Sequence, residues 1–151
     1  MSNYIDIAYL HIFLSEPQIT ALAGYGENVS GSQKVDLLIS GSSDIIDSFL
    51  MVAGYQLPLN PVPDSIKVAC AYLTLRDLYT TAQQPLPEGM TDQINSSIAY
   101  LNLLRDKKLQ LDGLEQETAT GTGGNLFSGV STSSGEPNRM LSVGQLKGTF
   151  I

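Results

Sequence analysis

The sequence predicts an all-α protein: a small bundle of about four helices with proline-rich connectors, followed by an extended C-terminal arm. Three observations support this fold class. Apolar residues recur at spacings of three, four and seven through most of residues 4–113. Capping residues and glycines bracket these segments, and two proline clusters separate them. A chain of 151 residues is long enough for one domain with a single core.

The N-terminal residues predict two short helices. Asp6 is a suitable N-cap for the first, although the alternating isoleucines around it would also suit the start of a strand. The apolar side of this helix consists of Tyr9, Leu10 and Phe13. The second helix has Ser15 as its N-cap and Gln18 at the capping-box position, and it ends near Gly24.

A longer helix is predicted from about Gln33 to Ala53, with Ser32 as its N-cap and Gly54 at its end. Its expected core face consists of Val35, Leu38, Ile39, Ile45, Ile46, Phe49, Leu50 and Ala53. Gly41 interrupts the pattern at a cost of about 1 kcal/mol relative to alanine. We therefore expect either a kink or a close approach of two backbones at that point.

Three prolines between residues 56 and 63 exclude a helix there and predict a stiff, extended connector. The next helix should begin at Asp64 or Ser65 and continue to about Thr81. Its apolar surface is wide, which indicates a central position in the bundle. Cys70 lies within it and is expected to be a small buried side chain.

The last helix is predicted from about Asp92 to Leu109, with Thr91 as its N-cap. Its core stripe should include Ile94, Ile98, Leu101 and either Leu104 or Arg105. Its C-terminal part is basic, which suits the negative end of the helix dipole. A stop at Gly113 completes a helical domain spanning residues 1–113.

Residues 114–151 are rich in glycine, serine and threonine, and few of them can contribute to a core. Apolar residues return at the end of the sequence, together with one arginine: Arg139, Met140, Leu141, Leu146, Phe150 and Ile151. A freely solvated tail is one interpretation of this segment. The other, which we favour, is an arm that orders against a neighbouring subunit.

Charge and composition exclude several classes of function. The formal net charge of −7 and the pI near 4.4 disfavour binding to the phosphates of DNA or RNA and to anionic membranes. The N-terminal residues lack the features of a secretory signal, and no apolar run is long enough for a membrane helix. The chain is therefore expected to stay in the cytoplasm of the cell that makes it.

The search for catalytic or metal-binding motifs is almost entirely negative. No phosphate-binding loop of the GxxxxGK[ST] type is present, and one histidine, His11, with one cysteine is too few for an ordinary zinc site. Asp36, Asp44 and Asp47 lie on one side of the long helix and could hold a cation or act as acid and base. A solvated helix face explains them better. We therefore expect no enzyme activity, cofactor or metal.

Several short segments appear in an order that is distinctive: YID at 4–6, DIIDSFL at 44–50, GY at 54–55, LPLNPVP at 57–63, ACAY at 69–72, RDLY at 76–79 and LLRDKKLQL at 103–111. With this order the chain resembles the head–tail connector family of Mu-like phages and prophages. The block formed by IDSFL at 46–50 and YQLPLNPVP at 55–63 is the most specific part. The resemblance covers about the first three quarters of the chain.

The resemblance implies a structural adaptor in the virion neck. Many copies, with twelve as the expected number, would form a ring below the portal protein, join head to tail and leave a channel through which DNA passes. No catalytic residue is carried over. The expected interface residues are those of the proline connector and of the arm: Leu57, Pro58, Leu59, Pro61, Val62, Pro63, Arg139, Met140, Leu141, Leu146, Phe150 and Ile151.

Two other functional classes remain open from the sequence. A helical regulatory or protein-binding module of prophage or host origin would bind a discrete partner as a monomer. A small hydrolase would use the aspartates of the long helix. Loss of activity in an Asp44→Ala variant that keeps its fold would identify this class.

Overall fold

A computed structural model describes residues 2–24 and 30–115, which lie within one compact unit. The regular elements in these ranges are five helices: α1 (Ile7–Leu10), α2 (Glu16–Ala23), α3 (Gly31–Ala53), α4 (Asp64–Thr81) and α5 (Met90–Arg105). The predicted all-α class is therefore confirmed. None of these helices is long and apolar enough to cross a lipid bilayer.

Helix α4 is the centre of the bundle, as its wide apolar surface predicts. Helices α3 and α5 pack against α4 and against each other, and α2 packs on α3 and α4. The buried residues of α4 are distributed around the helix: Ile66, Ala69, Cys70, Ala71, Leu73, Thr74, Leu75, Leu78 and Tyr79. A helix buried on most sides needs neighbours on most sides, so the other helices are arranged around it.

Helix α3 runs through Gly41 without a break. A close approach of two backbones at this point, one of the two expected explanations for the glycine, is excluded, because a Cβ atom added to Gly41 would meet no heavy atom within 4 Å. The helix begins at Gly31 instead of Gln33, and its cap is Ser30, whose Oγ accepts from the Gln33 N–H at 3.4 Å. The inner face consists of Val35, Ile39, Ile46, Leu50 and Ala53.

Helix α5 differs from its predicted bounds at both ends. It begins at Met90 after Gly89, whose φ of 87° is left-handed, so Thr91 is not the cap. It ends at Arg105, four residues before Leu109, because Lys107 adopts a left-handed φ of 59°. The Lys108 N–H then bonds the carbonyl of Leu103 at 2.9 Å, which closes a Schellman motif.

The two short N-terminal helices form as their caps predict. The Asp6 carboxylate accepts from the Tyr9 N–H at 2.9 Å, and the Gln18 side chain accepts from the Ser15 N–H at 3.0 Å. The segment before α1 is joined to α3, because the buried Tyr4 N–H donates to Ser43 Oγ at 3.2 Å and the Tyr4 hydroxyl donates to the Asp47 carboxylate.

Residues after α5 are joined to the same core. The Leu111 N–H donates to the Tyr55 hydroxyl at 2.8 Å, and the side chain of Leu111 is buried. Leu114 is half-buried and packs against the core cluster. The segment before α1 and the segment after α5 are thus each fixed to the bundle by a hydrogen bond. In each case a backbone N–H donates to a side chain that is distant in sequence.

Two adjacent buried serines of α3 should respond in opposite directions to the same substitution. Ser42 Oγ is buried and has no hydrogen-bond partner in the described part of the chain, so Ser42→Ala removes an uncompensated desolvation cost. Ser43→Ala leaves the buried Tyr4 N–H without its acceptor. In urea unfolding, we expect Ser42→Ala to raise the free energy of unfolding by about 1 kcal/mol and Ser43→Ala to lower it by about 1–3 kcal/mol. Equal effects of the same sign would contradict this assignment.

Tyr4 should give the fold an alkaline pH dependence. Burial raises the pKa of the Tyr4 hydroxyl well above its ordinary value, and the hydrogen bond to the Asp47 carboxylate and the charge of that carboxylate raise it further. Above about pH 10 the unfolded chain loses this proton and the folded chain keeps it, so stability is complete below that pH and falls as the pH rises.

The Tyr4→Phe variant tests this dependence. It should be less stable than the wild type at pH 7, because the hydrogen bond is lost, and its free energy of unfolding should decline less steeply between pH 10 and pH 11. Parallel declines measured by urea unfolding would show that Tyr4 does not carry the effect.

Candidate assembly surface

The proline connector, predicted as an interface, is largely part of the core. Leu59 is buried, and Leu57 and Val62 are half-buried and pack against the core cluster. Leu59 is thus not accessible to another chain, contrary to its selection as an interface residue. Of the three prolines predicted at the interface, Pro58 and Pro61 are exposed and Pro63 is half-buried. The connector fixes α3 to α4 by burying its own apolar side chains.

The other predicted interface residues belong to the arm. Arg139, Met140, Leu141, Leu146, Phe150 and Ile151 lie outside the described residues.

An exposed apolar stripe runs along the outer side of α3. It consists of Leu37, Ile45 and Val52, with Met51 beside it, and their exposed fractions are 65%, 36%, 64% and 67%. Spacings of eight and seven residues place the first three on one line, which is about 22 Å long at 1.5 Å per residue. This outer stripe, Leu37–Ile45–Val52 with Met51, is the largest cluster of exposed apolar side chains on any helix of the described residues.

The residues between the members of the outer stripe are small. Gly41 lies between Leu37 and Ile45, and Ser48 lies between Ile45 and Val52. The Ser48 hydroxyl donates to the Ile45 carbonyl at 2.6 Å, so its proton is used within the helix. The outer stripe therefore offers a second chain a nearly continuous apolar surface.

The sequence pattern predicts a single apolar face on α3, which includes Ile45 and leaves out Leu37, Met51 and Val52. Ile45 was assigned to the core face, and this assignment is wrong, since its side chain points outward. The signal was present in the spacing of Leu37, Ile45 and Val52, which lies on the opposite side of the helix from Ile39 and Ile46.

A second exposed surface lies at the C-terminal end of α5. Leu103 and Leu109 are 42% and 38% exposed, and the ammonium groups of Lys107 and Lys108 are also exposed. We call these four residues the basic end. Neither lysine forms an ion pair with any residue in the ranges 2–24 and 30–115.

Arg105, by contrast, is engaged within its own chain. Its Nε donates to Asp106 Oδ1 at 3.0 Å, and its guanidinium lies over the Phe49 ring at 5.7 Å from the centroid. This contact joins the end of α5 to the C-terminal half of α3.

The three aspartates of α3 have different surroundings. Asp47 accepts from the Tyr4 hydroxyl, whereas Asp44 is exposed. Asp36 lines an open depression of about 500 Å³, which also includes Asp6 and Lys67. No cluster of three or more potential metal ligands occurs among the residues that the structure describes.

Cys70 is buried, as predicted, and burial raises the pKa of its thiol. Its Sγ lies 3.6 Å from Ser43 Oγ, and Thr74 Oγ1 donates to the Cys70 carbonyl at 2.8 Å. The exposed His11 belongs to the turn after α1. These contacts describe a structural thiol, because a nucleophile needs a lowered pKa and access to a substrate.

Two shallow depressions lie beside α4. One, of about 320 Å³, lies between α2 and the residues after α4, and the other, of about 270 Å³, lies between α4 and α5. Their lining consists of uncharged side chains, among them Tyr79, Tyr72 and Tyr100. Such grooves can receive an apolar side chain of another protein, but they bring together no acid–base pair.

The comparisons with known proteins give a match to a family of phage proteins. No curated protein matches the chain. A family model described as "Bacteriophage Mu, Gp36" matches residues 4–128, which includes all five helices and the outer stripe of α3. The chain therefore belongs to the bacteriophage Mu Gp36 family.

Proposed function

We propose that this phage protein is a structural head–tail connector of the virion neck. Copies of the chain form a ring, expected to contain twelve, between the portal protein and the tail, and DNA passes through the central channel without specific binding. The observation that carries the proposal is the outer stripe of α3. This member of a phage family exposes apolar side chains along most of its longest helix.

The outer stripe supports an assembly role on energetic grounds. Isolated exposed apolar residues are ordinary on protein surfaces, whereas an aligned series on one helix marks a contact surface. Burial of apolar area contributes about 25 cal/mol per Å². A partner that covers Leu37, Ile45, Met51 and Val52 therefore gains several kcal/mol before the costs of association.

The charge of the chain supports the channel. A formal net charge of −7 per copy means that a ring of copies repels phosphate along its length. Lys and Arg contacts are what hold nucleic acid to proteins. An acidic ring therefore lets DNA move through it during packaging and ejection.

The proposed role requires no catalysis. Tyr4 and Cys70, the two groups with clearly raised pKa values in the described part of the chain, are buried and bonded to residues of the core. Their environment stabilises the neutral forms, which suits a scaffold and does not activate a nucleophile.

Virions test the proposal directly. We expect mass spectrometry of purified tailed particles to detect the chain, and electron microscopy to place it as a ring at the neck. Deletion of its gene should yield DNA-filled heads that lack tails. Intact tailed virions without this protein would overturn the proposal, and a monomer that binds one discrete partner outside the particle would favour the regulatory alternative.

The arm makes a second prediction. A chain truncated after Gln116 retains Leu111 and Leu114, which contact the core, so its helices should unfold as in the full-length protein. We expect this truncation to abolish attachment to filled heads. A full-length variant with Leu146, Phe150 and Ile151 all changed to serine is the matched control for chain length, and it should fail as well. Normal attachment of both variants would show that the arm is dispensable.

A further inference from the structure

We propose that neighbouring copies in the ring meet through two different surfaces: the outer stripe of α3 on one copy packs against the basic end of α5 on the next. This inference rests on the proposed ring. It assigns the occupant of the outer stripe to a second copy of this chain.

Each surface combines apolar side chains with exposed charged residues that form no ion pair within the described residues. Asp44, beside the outer stripe, is exposed and forms no ion pair with any residue from 2–24 or 30–115. The basic end presents Lys107 and Lys108 between Leu103 and Leu109. Contact between the two surfaces therefore buries apolar area on both sides and places opposite charges together.

The centre of the outer stripe can receive a bulky side chain. A Cβ atom at Gly41 would have no heavy atom within 4 Å, and the only hydroxyl nearby on the stripe, that of Ser48, is bonded to its own helix. A leucine of the basic end can thus approach the α3 backbone without leaving a hydroxyl donor buried and unpaired.

Pairing of like surfaces is less favourable. Two outer stripes related by a twofold axis would bring the aspartates of both copies to one contact, and two basic ends would do the same with four lysines. A contact between unlike surfaces uses both surfaces of every copy. Such contacts generate a ring when the rotations from copy to copy add up to a full turn.

The two surfaces are available on one chain at the same time. The outer stripe lies on the side of α3 opposite to Ile39 and Ile46. Leu103 lies two positions after the buried Leu101, which places it on the outer side of α5. Each copy therefore can contact one neighbour through α3 and another through α5.

Charge reversal tests the pairing. Complementation of a gene deletion by Asp44→Lys, or by the double variant Lys107→Glu/Lys108→Glu, should lower the titre of infectious particles at least tenfold. The triple variant that combines all three changes should recover most of the titre. Glu88→Lys is the control, because it makes the same change of charge as Asp44→Lys. Glu88 is exposed and lies outside both surfaces, so this variant should leave the titre unchanged.

The apolar part has its own matched pair. Leu37→Ser should reduce the titre, whereas Ile12→Ser should not, although Ile12 is 69% exposed and Leu37 is 65% exposed. Unfolding curves should be the same for both variants, since neither side chain is buried. Equal effects of the two substitutions on the titre would overturn the assignment.

Cysteine cross-linking in assembled particles distinguishes unlike from like pairing. Ser48→Cys alone should give no cross-linked dimer, because the native Cys70 is buried. The double variant Ser48→Cys/Leu109→Cys should give a ladder of cross-linked copies. Dimers from Ser48→Cys alone would overturn the pairing in favour of α3 against α3.

Failure of this inference is distinguishable from failure of the proposed function. If all charge variants complement fully and the chain is present at the neck, the assigned contact is wrong and the connector role stands. If the chain is absent from virions, the connector role is wrong, and the contact between copies is overturned with it.

Discussion

Burial of α4 on nearly all sides is the constraint on which the rest of the structure depends. A helix without a wide polar face must be covered by α2, α3 and α5 together, and these helices then need connections that stay in place. The connections are supplied by Leu59 of the proline segment, by the bond from Leu111 to the Tyr55 hydroxyl and by the bond from Tyr4 to Ser43. The bundle is therefore a rigid base for its outer surfaces.

Packing of the bundle explains the inner face of α3 but not its outer side. The inner face of α3 is used fully by the core, and the outer stripe is left over by the fold. Folding of one chain gives no reason for leucine, isoleucine and valine to be aligned there, since polar residues would serve better in water. Contact with another chain would supply that reason, and the proposed connector role names the assembly in which the contact would occur.

The fold class and most helix positions could be predicted from the sequence, because caps and apolar spacing act locally. Asp6 and Ser15 cap their helices as their positions predict, and Cys70 is buried. Bounds were less accurate where a residue adopts an unusual conformation: Lys107 ends α5 with a left-handed φ, which residue type alone does not favour. The likeness to a Mu-like phage family is also visible in short segments of the sequence.

The functional surface was harder to predict for two physical reasons. Hydrophobicity alone does not distinguish a core residue from an interface residue. The sequence pattern therefore predicts Ile45 in the core and gives no position to Leu37. Prolines indicate that the backbone is fixed, but they do not indicate which neighbouring side chains are exposed. The sequence therefore does not show that Leu59 is part of the core. In both cases the missing information was which side of the element the rest of the chain covers.

Oxidation of Met51 tests the central claim most directly. Its side chain is 67% exposed in the described unit and lies beside the outer stripe. Hydrogen peroxide should oxidise Met51 readily in the free protein, and assembled virions should protect it, as mass spectrometry of the peptide can measure. Equal oxidation rates of Met51 in the free protein and in intact particles would contradict the claim that another subunit covers this side of α3.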